Sequence, residues 1–160
     1  MTKAEFLAAA RAAALESSRA SGLPPGVTVA QAALESAWGA SQLARRAQNY
    51  FGIKANGKLP WIALPTLEYR DGRALWVEAR FARYDSMAAG FADRDRIILT
   101  VACYAAARAG AADPEAFIRA LAQHWATDPR YAQKLLDIYL DNKLNQLDQH
   151  SALSTQHSAT

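Results

Sequence analysis

One carboxylate is set apart by its surroundings. Thr28 to Lys54 reads TVAQAALESAWGASQLARRAQNYFGIK, and Glu35 is carried through an otherwise apolar part of it. Val29, Ala30, Ala32, Ala33, Leu34, Ala37 and Trp38 leave few polar positions, so a helix here is expected to be mostly buried. Thr28 and Gln31 have the spacing of a capping box at its start. Gly39 suits the left-handed residue that ends it. Glu35 then falls in the last turn, where free carbonyls leave partial negative charge. Burial and that charge both disfavour the ionised form and push the pKa up. A carboxylic acid that keeps its proton near neutral pH is what a general acid requires. The spacing also has a plainer explanation. Thr28, Gln31 and Glu35 lie on one line of the helix and would equally suit its solvated stripe.

Other elements must hold this helix. Thr2 to Ala20 reads as a first helix, with Phe6, Ala9, Ala13 and Leu15 among its apolar positions. Ser21 to Gly26 (SGLPPG) reads as a turn. Ser41 caps a short helix, Gln42 to Ala47, carrying Arg45 and Arg46. Asn49 to Lys54 makes a tight loop whose aromatics suit either a core or ligand contacts. Trp61 lies in a loose segment with Pro60 and Pro65, where its ring could stack on a pyranose or anchor the core.

The period then changes. LEYRDGRALWVEARFARY is a hairpin turning at Asp71-Gly72. That register pairs Arg70 with Arg73 and Glu68 with Leu75. Glu68 thereby sits among apolar neighbours and beside two arginines, with a cross-strand ion pair as the plain alternative. Ser86 opens a long helix, Met87 to Arg108, ending near Gly110. Asp113-Pro114 starts another, to about Trp125. Thr127-Asp128-Pro129 repeats the device for a last helix, to about Leu144. Five or six helices with one inserted hairpin predict an α+β, mainly helical fold, with a helical lobe, a small β-hairpin lobe and a cleft between. Residues 1–146 are read as one domain. The polar end, 147–160, with His150 and His157, is expected to be a disordered tail.

Several strings along this chain resemble one family in the same order. ALESAWGAS followed by NYFGIK is similar to the signature of glycoside hydrolase family 73, and EYRDG, FARYDS and WATDPRYAQKL continue the match. The resemblance runs from about Ala4 to Leu144, and several ordered motifs are more specific than any one alone. The family contains endo-β-N-acetylglucosaminidases of bacterial peptidoglycan, found in autolysins, flagellar muramidases and phage lysins. It implies a lysozyme-like fold and makes Glu35 the acid.

Glycoside hydrolysis commonly uses a second carboxyl on the opposite face of the sugar. Glu68, Glu78 and Asp71 are on offer. The family's second glutamate lies in a Thr-Glu-Tyr-like string, here TLEY, which points to Glu68 and leaves Glu78 in reserve. The substrate's own acetamido group can also do this work in the family. The resemblance implies that Trp125, Asn49 and Phe51 shape the sugar site; Trp61 and Tyr50 are further candidate contacts by residue type. Family members usually carry tyrosine where Trp125 stands; tryptophan keeps the ring but offers an N–H donor in place of the hydroxyl. They often carry glutamate near Gly90 and histidine near Arg94, departures read here as structural.

Composition bounds the rest. The chain has 160 residues, 51% hydrophobic and 21% charged, which suits one globular domain with a real core. Cys103, the only cysteine, allows no internal disulfide and is expected in the core. The net charge of +3 suits an anionic polymer without choosing among nucleic acid, lipid and cell wall. No nucleic-acid recognition motif, metal-ligand cluster, phosphate loop or membrane span is legible, so no cofactor, no metal, no nucleic acid and no membrane insertion are expected. The N-terminal segment lacks a secretory pattern. A wall enzyme of this kind would be made in the cytoplasm and released by a holin or a dedicated secretion system. The expected partner is the peptidoglycan glycan strand, met as a monomer. Rival expectations are a lytic transglycosylase or muramidase on the same fold, and a non-catalytic wall-binding module.

Overall fold

The structure, a computed structural model, describes residues 1–70 and 73–149; the side chains of Glu68, Tyr69 and Arg70 also lie outside the described set. Helices α1 (Lys3–Ser21), α2 (Pro25–Ser36) and α3 (Gln42–Ala47) come first. A hairpin of β1 (Trp61–Arg70) and β2 (Arg73–Ala82) follows. Then come α4 (Met87–Thr100), a 3-10 turn (Ala102–Tyr104), α5 (Ala105–Ala109), α6 (Pro114–Trp125) and α7 (Tyr131–Asp141). The expected architecture is the observed one: mainly helical, with one small antiparallel sheet.

α2 is the central helix. It packs against both α1 and α7, and ten of its residues, from Pro25 to Ser36, are buried. Phe6 of α1, Val27 and Val29 of α2, Phe91 of α4, Leu121 of α6 and Leu135 of α7 share one core. Each such side chain contributes about 1.5–3 kcal/mol on leaving water. Both ends of α1 are closed: Thr2 and Glu5 form a reciprocal capping box, and Gly22 takes the left-handed position with φ 70°.

The start of α2 differs from the sequence expectation. Thr28 and Gln31 do not cap it. The helix begins four residues earlier, with Pro24 at the cap and Pro25 in the first position, where a missing N–H costs nothing. Thr28 and Gln31 are therefore inside the helix and almost wholly buried, at 1% and 0% exposure. That also removes the solvated-stripe explanation of their spacing.

The hairpin has the expected register, with Arg70 opposite Arg73 and Glu68 opposite Leu75; the Asp71-Gly72 turn itself lies outside the described residues. Its first strand is longer than expected and takes in Trp61 and Pro65 in place of a loose segment. The hairpin base is sewn to the helical lobe by backbone bonds, Ala55 to Arg80, Ala82 to Ile53 and Tyr84 to Ala47.

The long helix expected over Met87 to Arg108 is broken at Val101, whose backbone is extended. Ile97, Ile98, Thr100 and Val101 are β-branched and lose side-chain freedom in a helix. The Arg108 guanidinium takes up the freed carbonyls of Ile98 and Val101, at 2.8 and 2.9 Å. In this break Cys103 is exposed rather than buried in the core. The last helix starts at Tyr131, later than expected, because Asp128 closes a preceding turn by accepting from the Arg130 N–H.

The domain boundary at 146 falls short of what the described chain uses. Leu147 packs against the core. Asp148 accepts from the Gly26 N–H at 2.7 Å and from the Tyr139 hydroxyl at 2.6 Å. His150 and His157 lie outside the described residues. No helix among the described residues is long and apolar enough to cross a membrane.

Candidate active site

Glu35 is the penultimate residue of α2. The chain reverses immediately after it: Ala37, Trp38 and Gly39 are all left-handed, with φ of 50°, 58° and 77°. Two of these are not glycine, and each costs about 1 kcal/mol or more. Bonds offset that cost. The Ser36 hydroxyl donates to Ala32 and accepts from the Gly39 N–H at 2.8 Å, while Trp38 N–H donates to Ala33 at 2.9 Å. Trp38 is also held between the edge of Phe6 and the Lys3 ammonium, 4.2 Å from its ring. This stop presents Glu35 at a fixed helix end.

The Glu35 carboxyl is half-buried. The Tyr131 hydroxyl, first residue of α7, donates to its Oε1 at 2.5 Å. The indole of Trp125, last residue of α6, is near enough to this carboxyl to favour its charged form. Burial pushes the Glu35 pKa up, and these two neighbours pull it partly back. The net direction is upward, which favours the protonated form. Burial and the Glu35 charge together push the Tyr131 phenol far up, so it stays a neutral donor.

Behind Tyr131 lies a buried polar chain. Gln31 Nε2 donates to the Tyr131 oxygen at 3.3 Å, and Gln31 Oε1 accepts from Arg94 Nε at 2.9 Å. Arg94, fully buried in α4, also donates to Thr28 at 2.9 Å and to Asp95 at 2.7 Å. The departure at Arg94 is thus more than structural filling, because it reaches Glu35 through two intermediates. The other departure, Gly90, is a packing site: a Cβ there would lie 2.7 Å from the Gln48 carbonyl.

Trp125 is brought to Glu35; the remaining expected residues fare differently. Asn49 is 1% exposed, and its amide is fully used in tying the loop together and to β2. It donates to the carbonyls of Ile53 and Ala82, both at 2.9 Å, and accepts from the N–H groups of Phe51 and Ile53. Phe51 is in the core, its ring 4.9 Å from that of Phe91. Tyr50 is buried between Phe6 and Phe91. These three support the loop from beneath, and direct sugar contact falls away from their side chains. Trp61 is 46% exposed, with the Arg80 guanidinium 4.3 Å over its ring. Glu78 is exposed on β2. The Glu68 side chain lies outside the described residues.

Tyr131, Gln31 and Arg94 were missed as site residues. A signal existed. Thr28 and Gln31 are polar groups at helical spacing in a segment otherwise apolar enough to be buried, and buried polar groups need partners. Tyr131 lies within WATDPRYAQKL, the same string that carries Trp125. No group of three His, Cys, Asp or Glu suited to a metal occurs among the described residues.

A helical lobe with an inserted hairpin, and an acid seated at a buried helix end, define a lysozyme-like glycoside hydrolase domain. Residues 11–144 match the model of the glucosaminidase family, described as mannosyl-glycoprotein endo-beta-N-acetylglucosaminidase, and the chain belongs to that family. It is 36% identical over 139 residues to the peptidoglycan hydrolase FlgJ of Escherichia coli (strain K12), covering 83% of this chain and 44% of that protein. It is 34% identical over 160 residues to a probable N-acetylmuramidase of Lactococcus lactis subsp. lactis, covering 96% of this chain and 36% of that protein. Among solved structures, the catalytic domain of the autolysin Auto from Listeria monocytogenes superposes with a TM-score of 0.82 at 31% identity, covering 91% of this chain and 87% of that one. The chain spans less than half the length of these curated relatives.

Proposed function

We propose that this protein is a peptidoglycan hydrolase, an endo-β-N-acetylglucosaminidase that cuts the glycan backbone of the bacterial cell wall after N-acetylglucosamine. The observation that carries the reading is Glu35: a half-buried carboxyl at a helix end, with its pKa pushed up and the neutral Tyr131 hydroxyl donating to it. Its proton goes to the glycosidic oxygen as the bond to the anomeric carbon breaks. The Tyr131 and Trp125 donors then stabilise the carboxylate that forms. Glu68, on the strand that pairs with β2, is the proposed second carboxyl, activating water or stabilising the oxocarbenium-like transition state; Glu78 is the reserve. The exposed Trp61 offers a sugar-stacking face. The protein acts as a monomer at the wall, and its net charge of +3 favours that anionic polymer.

Digestion of purified murein with mass spectrometry of the products tests this. Reducing N-acetylglucosamine ends are expected. Reducing N-acetylmuramic acid ends would make it a muramidase, the activity named for the Lactococcus relative. Anhydromuramic ends would make it a lytic transglycosylase, and binding without release of fragments would make it a wall-binding module. Glu68→Gln and Glu78→Gln, assayed side by side, separate the two second-carboxyl candidates.

A further inference from the structure

We infer that Arg94 is a positioning residue for Glu35: through Gln31 and Tyr131 it fixes the direction of every hydrogen bond in the chain, so that the acid proton is held on Glu35 Oε2. This rests on the reading of Glu35 as the acid.

All guanidinium nitrogens of arginine only donate. The orientation of a glutamine amide is ordinarily an assignment, but here Arg94 Nε settles it, because the atom facing it at 2.9 Å must be Gln31 Oε1. Gln31 Nε2 is then the atom facing Tyr131, and it too can only donate. The Tyr131 oxygen accepts there, which sends its single proton to the acceptor at 2.5 Å, Glu35 Oε1. A carboxylic proton on Oε1 would make that oxygen a poorer acceptor for the Tyr131 O–H and crowd it, whereas a proton on Oε2 leaves the bond intact. The acid proton therefore sits on Oε2. Without the lock, protonated Glu35 could turn its proton into the Tyr131 oxygen, a state that cannot protonate a leaving group.

Arg94 is itself held. Asp95 Oδ1 accepts from it at 2.7 Å, and Asp95 Oδ2 accepts from Ser17 at 2.5 Å and Ser21 at 2.7 Å, both on α1. Thr28 accepts from Arg94 and donates to the Pro24 carbonyl at 3.2 Å. The charged and titratable groups along this path are Glu35 of α2, Arg94 and Asp95 of α4, and Tyr131 of α7; α1 contributes the two serines and α6 the Trp125 indole. Asp93 and Arg96 pair with each other, Arg96 half-exposed and Asp93 nearer the surface than Arg94. Arg94 Nη2 is buried and has no hydrogen-bond partner. A buried ion pair with an orphaned donor is a poor device for stability alone, since apolar packing does that work at lower cost.

A double-mutant cycle on Glu35 titration tests this, read by 13C NMR of labelled glutamate carboxyls, with Glu35→Gln identifying the resonance. In Gln31→Glu the new carboxylate still accepts from Arg94 and, unlike the amide, also accepts the Tyr131 hydroxyl, drawing it from Glu35. The Glu35 midpoint is expected to rise by about one pH unit, and the alkaline limb of murein kcat/KM to move with it. With Tyr131→Phe already present, the same change at position 31 is expected to give half that rise or less, leaving only the effect of added charge. Gln31→Met, the uncharged counterpart, is expected to give a smaller rise that vanishes beside Tyr131→Phe, and serves if the glutamate variant fails to fold. An equal rise in both backgrounds, or none in either, overturns the inference. The parent reading fails separately, if Glu35→Gln still lyses murein.

Discussion

The Tyr131 hydroxyl stands 2.5 Å from Glu35 Oε1, although 96 positions separate the two residues in the chain. The contact joins the last turn of α2 to the first residue of α7. Burial raises the carboxyl's pKa, and this bond, with the nearby Trp125 indole, limits the rise. Glu35 is thus tuned by opposed effects, and the tuning can be changed from either partner.

Removing either donor takes a favourable neighbour from the anion and leaves burial less opposed. Tyr131→Phe and Trp125→Phe are each expected to move the alkaline limb of the pH–rate profile upward, by up to about one pH unit. Trp125→Tyr restores a donor and is expected to move it less. Activity on murein measured against pH reads this directly; a downward move in the phenylalanine variants would contradict the account.

The same tuning has a consequence for stability. The folded pKa of Glu35 is raised above its unfolded value, so the folded state binds the proton more tightly. Stability is fully present below the unfolded pKa and is lost as pH rises through the folded one. Glu35→Gln removes that loss. The variant should melt above the wild type at neutral pH and higher, by about 2–4 °C for each kcal/mol relieved, and the gap should narrow as pH falls. Melting curves at several pH values check the sign.

Arg94 and Asp95 form a buried pair. Arg94→Met strands the Asp95 charge with only two serine hydroxyls, and is expected to destabilise by about 3–5 kcal/mol. Adding Asp95→Leu should recover part of that loss, because the uncompensated charge goes with it. Denaturant midpoints of the single and double variants measure the difference.

Gly26 sets how closely α2 approaches the C-terminal segment. A Cβ there would lie 2.3 Å from the Leu144 carbonyl oxygen and 2.8 Å from Asp148 Oδ2. The near atom is backbone and cannot swing aside. Gly26→Ala is expected to cost about 1–3 kcal/mol, as overpacking does, and to weaken the bond from the Gly26 N–H to Asp148. Thermal melting and amide exchange at Gly26 test this.

Much of the fold was legible because it is written in local chemistry. Ser41 and Asp113 are side-chain caps, and the Asp-Gly pair at 71–72 in the sequence implied the register that the strands show, Arg70 opposite Arg73. The errors fell where tertiary partners decide. Thr28 and Gln31 have the residue types of a capping box, and only the arrival of Arg94 from α4 makes them interior. The helix break at Val101 depends on Arg108 reaching back for two carbonyls. Asn49, Tyr50 and Phe51 have the character of a binding loop, yet the helical lobe covers them. Glu35 could be read from its apolar neighbours and its place in the last turn only as one of two explanations, and the resemblance of ALESAWGAS and NYFGIK to the family made it the candidate acid. Tyr131 was not legible, because nothing local says that the start of α7 meets the end of α2.

The central claim is that Glu35 donates the proton, and the most direct measurement is murein turnover by Glu35→Gln. The amide keeps the shape and still accepts from Tyr131, but carries no acidic proton. A fall of at least about a hundred-fold, in a variant that melts no lower than the wild type, is the predicted result. Wild-type turnover by that variant would contradict the account and move the acid elsewhere.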